Sequence, residues 1–182
     1  MANFPIAVLV GSLRKDSFNR RLADGLEQLA PAGFTFTRPR IDDLPPYNQD
    51  EDAHPPAAAA RLKQEIGAAK GVIFVTPEYN RSIPGVLKNA IDHASRPYRQ
   101  SAWAGKPAGI VGVSVGATGT SMAQQHLRNM VAYLDMPTLG QPEVFLEMKD
   151  DLFEGRAIGP ASREFLQGWM DRYAAWVRQH AK

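Results

Sequence analysis

The chain predicts a doubly wound α/β fold, a five-stranded parallel sheet in the order 2-1-3-4-5 with helices on both faces. Apolar strand-like runs alternate with helical patterns along its 182 residues. The clearest runs are continuous rather than alternating, as strands buried on both faces require. Strands separated by helices take right-handed crossovers, which makes the sheet parallel. Five strands in this alternation suit 2-1-3-4-5 better than a six-stranded dinucleotide fold. No repeat and no composition shift divides the chain, so residues 1–182 read as one domain with a substantial core.

The elements follow in order. Residues 6–10 are an unbroken apolar run and form the first strand. Phe18, Leu22, Leu26 and Leu29 recur at helical spacing, and Pro31-Ala32-Gly33 ends that helix. Phe34–Thr37 alternates and is rich in β-formers, which makes a second strand. A Pro/Asp-rich loop over 44–56 leads to a helix over 57–69, with Leu62, Ile66 and Ala69 on one face. Residues 71–76 are the third strand. Gly85–Ala94 is a helix carrying Val86, Leu87, Ala90, Ile91 and Ala94, with Pro84 at its start, where proline is tolerated. A fourth strand is expected over 107–115, a helix over 119–134 and a fifth strand over 143–147. The last helix, 160–178, aligns Phe165, Trp169, Tyr173 and Trp176, which reads as core packing.

Composition excludes several classes. Hydrophobic residues are 44% and charged residues 22%, as in ordinary globular proteins. There is no cysteine, which removes disulfides, thiolate metal sites and cysteine catalysis, and fits a reducing compartment. The first apolar run is too short for a signal peptide or a membrane span, so a cytoplasmic protein with no membrane partner is expected. The 21 basic residues are interspersed with 19 acids, a net charge of +2, without the basic tract of a nucleic-acid binder. His54, His126 and His180 lack paired metal-ligand spacing, so no metal is expected. His93, following Asp92 on a helix, reads as a surface or interface residue. Tyr98 and Trp103 sit in an irregular stretch and read as a cover for the site or for a partner.

In an open parallel sheet, ligands bind at the carboxyl ends of the strands where strand order reverses. Three loops gather there. The first is Gly11-Ser12-Leu13-Arg14-Lys15-Asp16-Ser17-Phe18-Asn19, between a strand and a helix N-terminus. Helix N-termini carry unpaired N–H groups and partial positive charge, so an anion is favoured there. Ser12, Ser17 and Asn19 bring hydrogen-bond donors and Arg14 a charge-assisted one. The same residues also suit a simple capped helix start. The loop matches neither the P-loop nor the GxGxxG pattern. The second loop, Pro77-Glu78-Tyr79-Asn80-Arg81-Ser82-Ile83-Pro84-Gly85, is preset by its two prolines. Such a loop aims backbone groups at a flat heterocycle, and Tyr79 adds an aromatic face; a long turn-rich connection would look alike. The third loop, residues 114–119, has Gly116 and Gly119 for close approach of backbone to a ligand and a polar rim from Ser114, Thr118 and Thr120.

These stretches, with Pro84-Gly85-Val86-Leu87-Lys88-Asn89-Ala90-Ile91-Asp92, resemble the NADPH-dependent FMN reductases, and among them the chromate or quinone reductases and related azoreductases. The resemblance runs along nearly the whole chain. It implies a flavodoxin-like fold, bound FMN, and NADPH or NADH as co-substrate. It implies electron delivery to quinones, azo compounds, metal oxyanions or free flavin, and assembly as a homodimer or homotetramer. Carried over by position, it puts the FMN phosphate on Ser12, Arg14, Ser17 and the amides of Phe18 and Asn19. It puts the isoalloxazine edge against Pro77, Glu78, Tyr79 and Asn80, with Ser114 and Gly116 near the pyrimidine side or the ribityl chain. No side chain is implied as a catalytic acid or base. Two positions depart from the pattern: Gly119-Thr120 replaces a Gly-Gly pair, and Arg81 stands where an aromatic or small residue is expected. The alternative is a flavodoxin-type electron carrier that docks on redox partner proteins, which the charge of +2 argues against.

Overall fold

The computed structural model describes residues 3–181. The sheet is built from β1 (Phe4–Val10), β2 (Phe34–Thr37), β3 (Gly71–Val75), β4 (Ala108–Ser114) and β5 (Val144–Glu147). All pairings are parallel and the order is β2-β1-β3-β4-β5, as expected. The helices are α1 (Phe18–Gln28), α2 (Ala57–Ala68), α3 (Gly85–Ala94), α4 (Ser121–Tyr133) and α5 (Pro160–His180). Two short strands, β6 (Phe153–Glu154) and β7 (Ala157–Ile158), form an unexpected antiparallel hairpin between β5 and α5.

Alternation along each strand separates two cores. Ile6, Val8, Ile73, Val75, Val111 and Val113 face α1 and α5, meeting Leu22, Leu26, Trp169 and Tyr173. Ala7, Leu9, Val72, Phe74 and Ile110 face the opposite way and meet Leu62 of α2, Leu87 and Ile91 of α3 and Leu127 of α4. With both faces covered, the strands tolerate no polar side chain along these runs. Trp103 belongs to the second core. It is fully buried, its Nε1 donates to Ile91 O at 2.9 Å, and its ring lies 5.7 Å from that of Phe74. It therefore covers neither a site nor a partner. His93 is also buried, bonded through Nε2 to Pro45 O at 2.8 Å and set edge-on to Tyr47, so it is a packing residue rather than a surface one.

On α5 only part of the expected aromatic face is core. Trp169 and Tyr173 stack with centroids 5.4 Å apart, while Phe165 is exposed and Trp176 half-buried. The stacked pair fits because two strand positions lack a side chain. A Cβ on Gly109 would lie 2.8 Å from Tyr173 Cδ2 and 2.9 Å from Trp169 Cζ2, and one on Gly71 would lie 2.8 Å from Tyr173 Oη. That hydroxyl is buried without a partner, and burial pushes its ionisation well above the usual phenol range. Adding a methyl group under the pair forces side chains off their rotamers, at about 1–3 kcal/mol. Gly109→Ala is therefore expected to lower the unfolding free energy by that amount in a denaturant titration; an unchanged midpoint would show that α5 has slack to move.

Candidate functional site

The loops after β1, β3 and β4 converge on one edge of the sheet, and their geometry follows from how each loop's polar groups are satisfied. The first loop leaves β1 with Gly11 N donating to Val75 O at 2.9 Å, which continues the ladder one residue past the strand. Ser17 is the N-cap of α1, its Oγ accepting from Arg20 N at 3.2 Å. The first intrahelical bond of this turn runs from Arg21 N to Ser17 O at 3.1 Å, so the N–H groups of Phe18 and Asn19 point out of the helix end unpaired. No acid occupies the first turn of α1 to offset them. Ser12 is buried, yet its hydroxyl meets no partner among the described residues. Arg14 is exposed and lies over the Phe18 ring at 5.6 Å, with no carboxylate paired to it among the described residues.

Asn19 plays a part that differs from its expected one as a side-chain donor to an anion. Its Nδ2 donates to Val113 O at 2.8 Å, and its Oδ1 accepts from Val113 N at 3.0 Å. β3 ends opposite Val111, whereas β4 runs on to Ser114. The amide of Asn19 thus replaces the next residue of β3 and satisfies a stretch of strand edge that would otherwise be buried unpaired. What Asn19 offers to a ligand is its backbone N–H.

The second loop contains a tight turn. Tyr79 N donates to Ser82 O at 2.9 Å and Ser82 N to Tyr79 O at 3.0 Å, with Asn80 at φ 52° and Arg81 at φ 64°. Two successive positive φ values are the signature of a type I′ turn, whose second central position favours glycine. Arginine there costs about 1 kcal/mol or more relative to glycine. Pro77 is buried, whereas Tyr79, Asn80 and Arg81 are exposed. The Glu78 carboxylate is turned to structure: Oε2 accepts from both Met122 N and Ala123 N at 3.0 Å. These are the first-turn amides of α4, whose own N-cap, Thr120, makes no side-chain cap bond. Glu78 is therefore the cap of α4, supplied by a different loop. Ser82 Oγ lies 3.1 Å from His126 Nδ1 on α4 and adds a second tie.

In the third loop, Ser114 Oγ accepts from Gly116 N at 3.3 Å, and Gly119 N donates to Gly116 O at 2.8 Å. A Cβ on Gly116 would meet only Ser114 Oγ, at 3.8 Å, so this backbone borders open space. Gly119 has a structural reason of its own. Its φ is 57° and a Cβ would stand 2.7 Å from the Phe145 carbonyl carbon, so glycine is needed there to pass β5.

Three residues not anticipated as site residues complete the edge. Leu13, Val115 and Met122 are exposed, together with Tyr79. Each of the three loops thus leaves a large apolar side chain in water, which would suit a flat apolar ligand. Their one sequence signal is that each is apolar in a polar, glycine-rich context. The edge thus carries unpaired N–H groups, two buried serines and an arginine at the start of α1, with Leu13 the exposed apolar side chain of that loop, and exposed apolar side chains with open backbone at the other two loops.

Residues 4–151 match the family described as NADPH-dependent FMN reductase. A protein from Burkholderia sp. described as a 2-hydroxy-1,4-benzoquinone reductase is 53% identical over 175 residues, covering 95% of this chain and 96% of its own. A quinone reductase of Pseudomonas putida is 48% identical over 96% of this chain and 95% of its own. Among solved structures, the flavoenzyme NAD(P)H:(acceptor) oxidoreductase FerB of Paracoccus denitrificans superposes with a TM-score of 0.94 at 39% identity, covering 98% of this chain and all of its own.

The cap formed by Glu78 is testable without any ligand. Glu78→Ala removes both bonds to α4 and is expected to destabilise the protein by about 1–2 kcal/mol. Glu78→Gln, which keeps a single acceptor oxygen, is expected to lose less. Equal stability of all three proteins in urea would show that the cap is dispensable.

Proposed function

The chain belongs to the NADPH-dependent FMN reductase family, and on that premise we propose that it oxidises NAD(P)H through bound FMN and delivers the electrons to a quinone. The carrying observation is the edge formed by the three loops, which suits a ligand with an anionic tail and a flat, largely apolar head. FMN has that form. Ser12, Ser17, Arg14 and the N–H groups of Phe18 and Asn19 would hold its phosphate. Pro77, Glu78, Tyr79 and Asn80 would border the ring edge, and Ser114 and Gly116 the pyrimidine side or the ribityl chain. The chemistry supplied by the bound flavin is acceptance of hydride from NAD(P)H and release of electrons to the acceptor. The chain's own residues bind and orient. Glu78 accepts two backbone N–H groups of α4 through Oε2, which supports an orienting role for it, and no side chain of the three loops is proposed as a catalytic acid or base. The loop that it anchors holds its backbone donors in place before any ligand arrives, the arrangement that stabilises charge at least reorganisation cost.

Quinone is the favoured acceptor because three relatives above 45% identity are described as quinone reductases and match over nearly their whole length. Azo compounds, chromate-type oxyanions and free flavin complete the acceptor panel. A homodimer or homotetramer would use the α3–α4 side, where Tyr98 and Tyr133 are exposed beside a cleft of about 550 Å³. Among the described residues no helix is long and apolar enough to cross a membrane, and a cytoplasmic location is proposed.

Steady NAD(P)H oxidation with a quinone, by purified protein with the absorbance of oxidised flavin, is the expected result. A flavin-loaded protein inert toward NAD(P)H would favour the electron-carrier alternative. Arg14→Ala and Ser17→Ala are each expected to weaken FMN retention about tenfold, the effect of losing one charge-assisted hydrogen bond. Flavin content after dialysis measures it, and undiminished content in both variants would remove the phosphate from this loop.

A further inference from the structure

We propose that Arg81 sets acceptor preference, favouring quinones that carry a negative charge beside the reducible ring. This rests on the quinone-reductase reading above and extends it to a substrate class and a residue. Arg81 occupies the tip of the Tyr79–Ser82 turn at φ 64°, where glycine would sit without strain. A strained backbone position is retained when something else is gained from the side chain. Packing does not supply that gain. The side chain is 72% exposed, and its recorded ionic neighbour among the described residues is Glu78 Oε1 at 3.9 Å, beyond hydrogen-bond distance.

Glu78, 3.9 Å away and without a hydrogen bond to it, leaves the donors of the guanidinium free for a second anion. Its other oxygen accepts the two α4 amides, so the carboxylate's charge is already directed at a helix N-terminus. The third loop, residues 114–119, and the two residues after it carry no charged side chain. Arg14 and Lys15 lie on the first loop, at the end assigned to the phosphate. An acceptor reaching the exposed side chains of Leu13, Tyr79, Val115 and Met122 therefore meets one cation on the side of the second loop. Such a charge steers and orients an anion more than it adds raw affinity.

The reaction balances with the anionic group as a spectator. A quinone takes up the hydride that leaves NAD(P)H and one proton from water, giving hydroquinone and NAD(P)+. A sulfonate or carboxylate on the ring keeps its charge throughout, so its pairing with Arg81 survives both states of the substrate.

The test compares 1,4-naphthoquinone with its 2-sulfonate as acceptors for the flavin-loaded enzyme at low ionic strength. The measured quantity is the ratio of kcat/KM for the sulfonate to that for the neutral quinone. Arg81→Gln, which keeps the strained backbone and the side-chain bulk, is expected to lower that ratio about threefold, within the range of an exposed ion pair. Arg81→Glu is expected to lower it about tenfold, and Arg81→Lys to restore most of it. The differences should shrink as salt is raised. Titration of the flavin-loaded protein with 2-naphthalenesulfonate, which is not reduced, should show the same order of dissociation constants. An unchanged ratio in both Arg81→Gln and Arg81→Glu overturns the proposal. So does a loss confined to the KM for NADPH, which would assign the cation to the nucleotide's phosphates. A wild-type enzyme that reduces neither quinone overturns the quinone reading itself, and this inference with it.

Discussion

Everything at the ligand edge depends on where α1 begins, and one buried amide fixes that point. Asn19 sits on the helix that follows β1, yet its side chain is paired both ways with Val113 of β4, two strands away. Each such bond is worth about 1 kcal/mol when made, and more is lost when a buried partner is left unpaired. The pairing holds the unpaired N–H groups of α1 at a set distance from the third loop. Glu78 does the same between the second loop and α4. The three loops are therefore joined in pairs by side chains that reach across the gaps between strands.

This bracing separates what is fixed from what is free. The fixed parts are the helix start, the proline-bounded loop and the backbone beside Gly116. The free parts are the exposed tips, Tyr79 to Arg81 and Val115, whose side chains carry little of the fold's stability. A cofactor gains from the fixed parts, because little of its binding energy is spent on ordering the protein. Acceptor discrimination by Arg81, as proposed, would draw on the free parts, where a substitution leaves the braces intact.

The arrangement of strands and helices was legible because each depends on local pattern. Continuous apolar runs marked β1 and β3, and Pro84 marked the start of α3, whose bounds, like those of β2, coincide with those read from sequence. The capped start of α1 was legible for the same reason, since a cap and a helix start are neighbours in sequence. The braces were not. Glu78 meets α4 residues 44 and 45 positions away, and Asn19 meets Val113 at a separation of 94, so no local pattern records either contact. Trp103 misled because its neighbours, Ser101, Gly105 and Lys106, are those of a surface loop, while its indole reaches back into the α3 side of the core. The β6–β7 hairpin escaped because two-residue strands have no periodicity. Its trace lies in Gly25, whose Cβ would stand 2.5 Å from Ile158 Cδ1, a glycine inside a helix explained by what packs over it.

The division into two cores also imposes an order on how the chain acquires its structure. The face under α2, α3 and α4 closes through consecutive crossovers, β2 to β3 past β1, then β3 to β4 and β4 to β5, each spanning only a few tens of residues. The other face is covered by α1 and α5, and α5 begins at Pro160, more than 130 residues beyond the end of α1 at Gln28. Contacts so distant in sequence form late, because the intervening chain must be organised before its closure is rewarded. Without Trp169 and Tyr173 over Gly71 and Gly109, the centre of the sheet would lack its apolar cover on that face. Completion of the core that carries α1 is thereby tied to a helix that contributes nothing to the three loops.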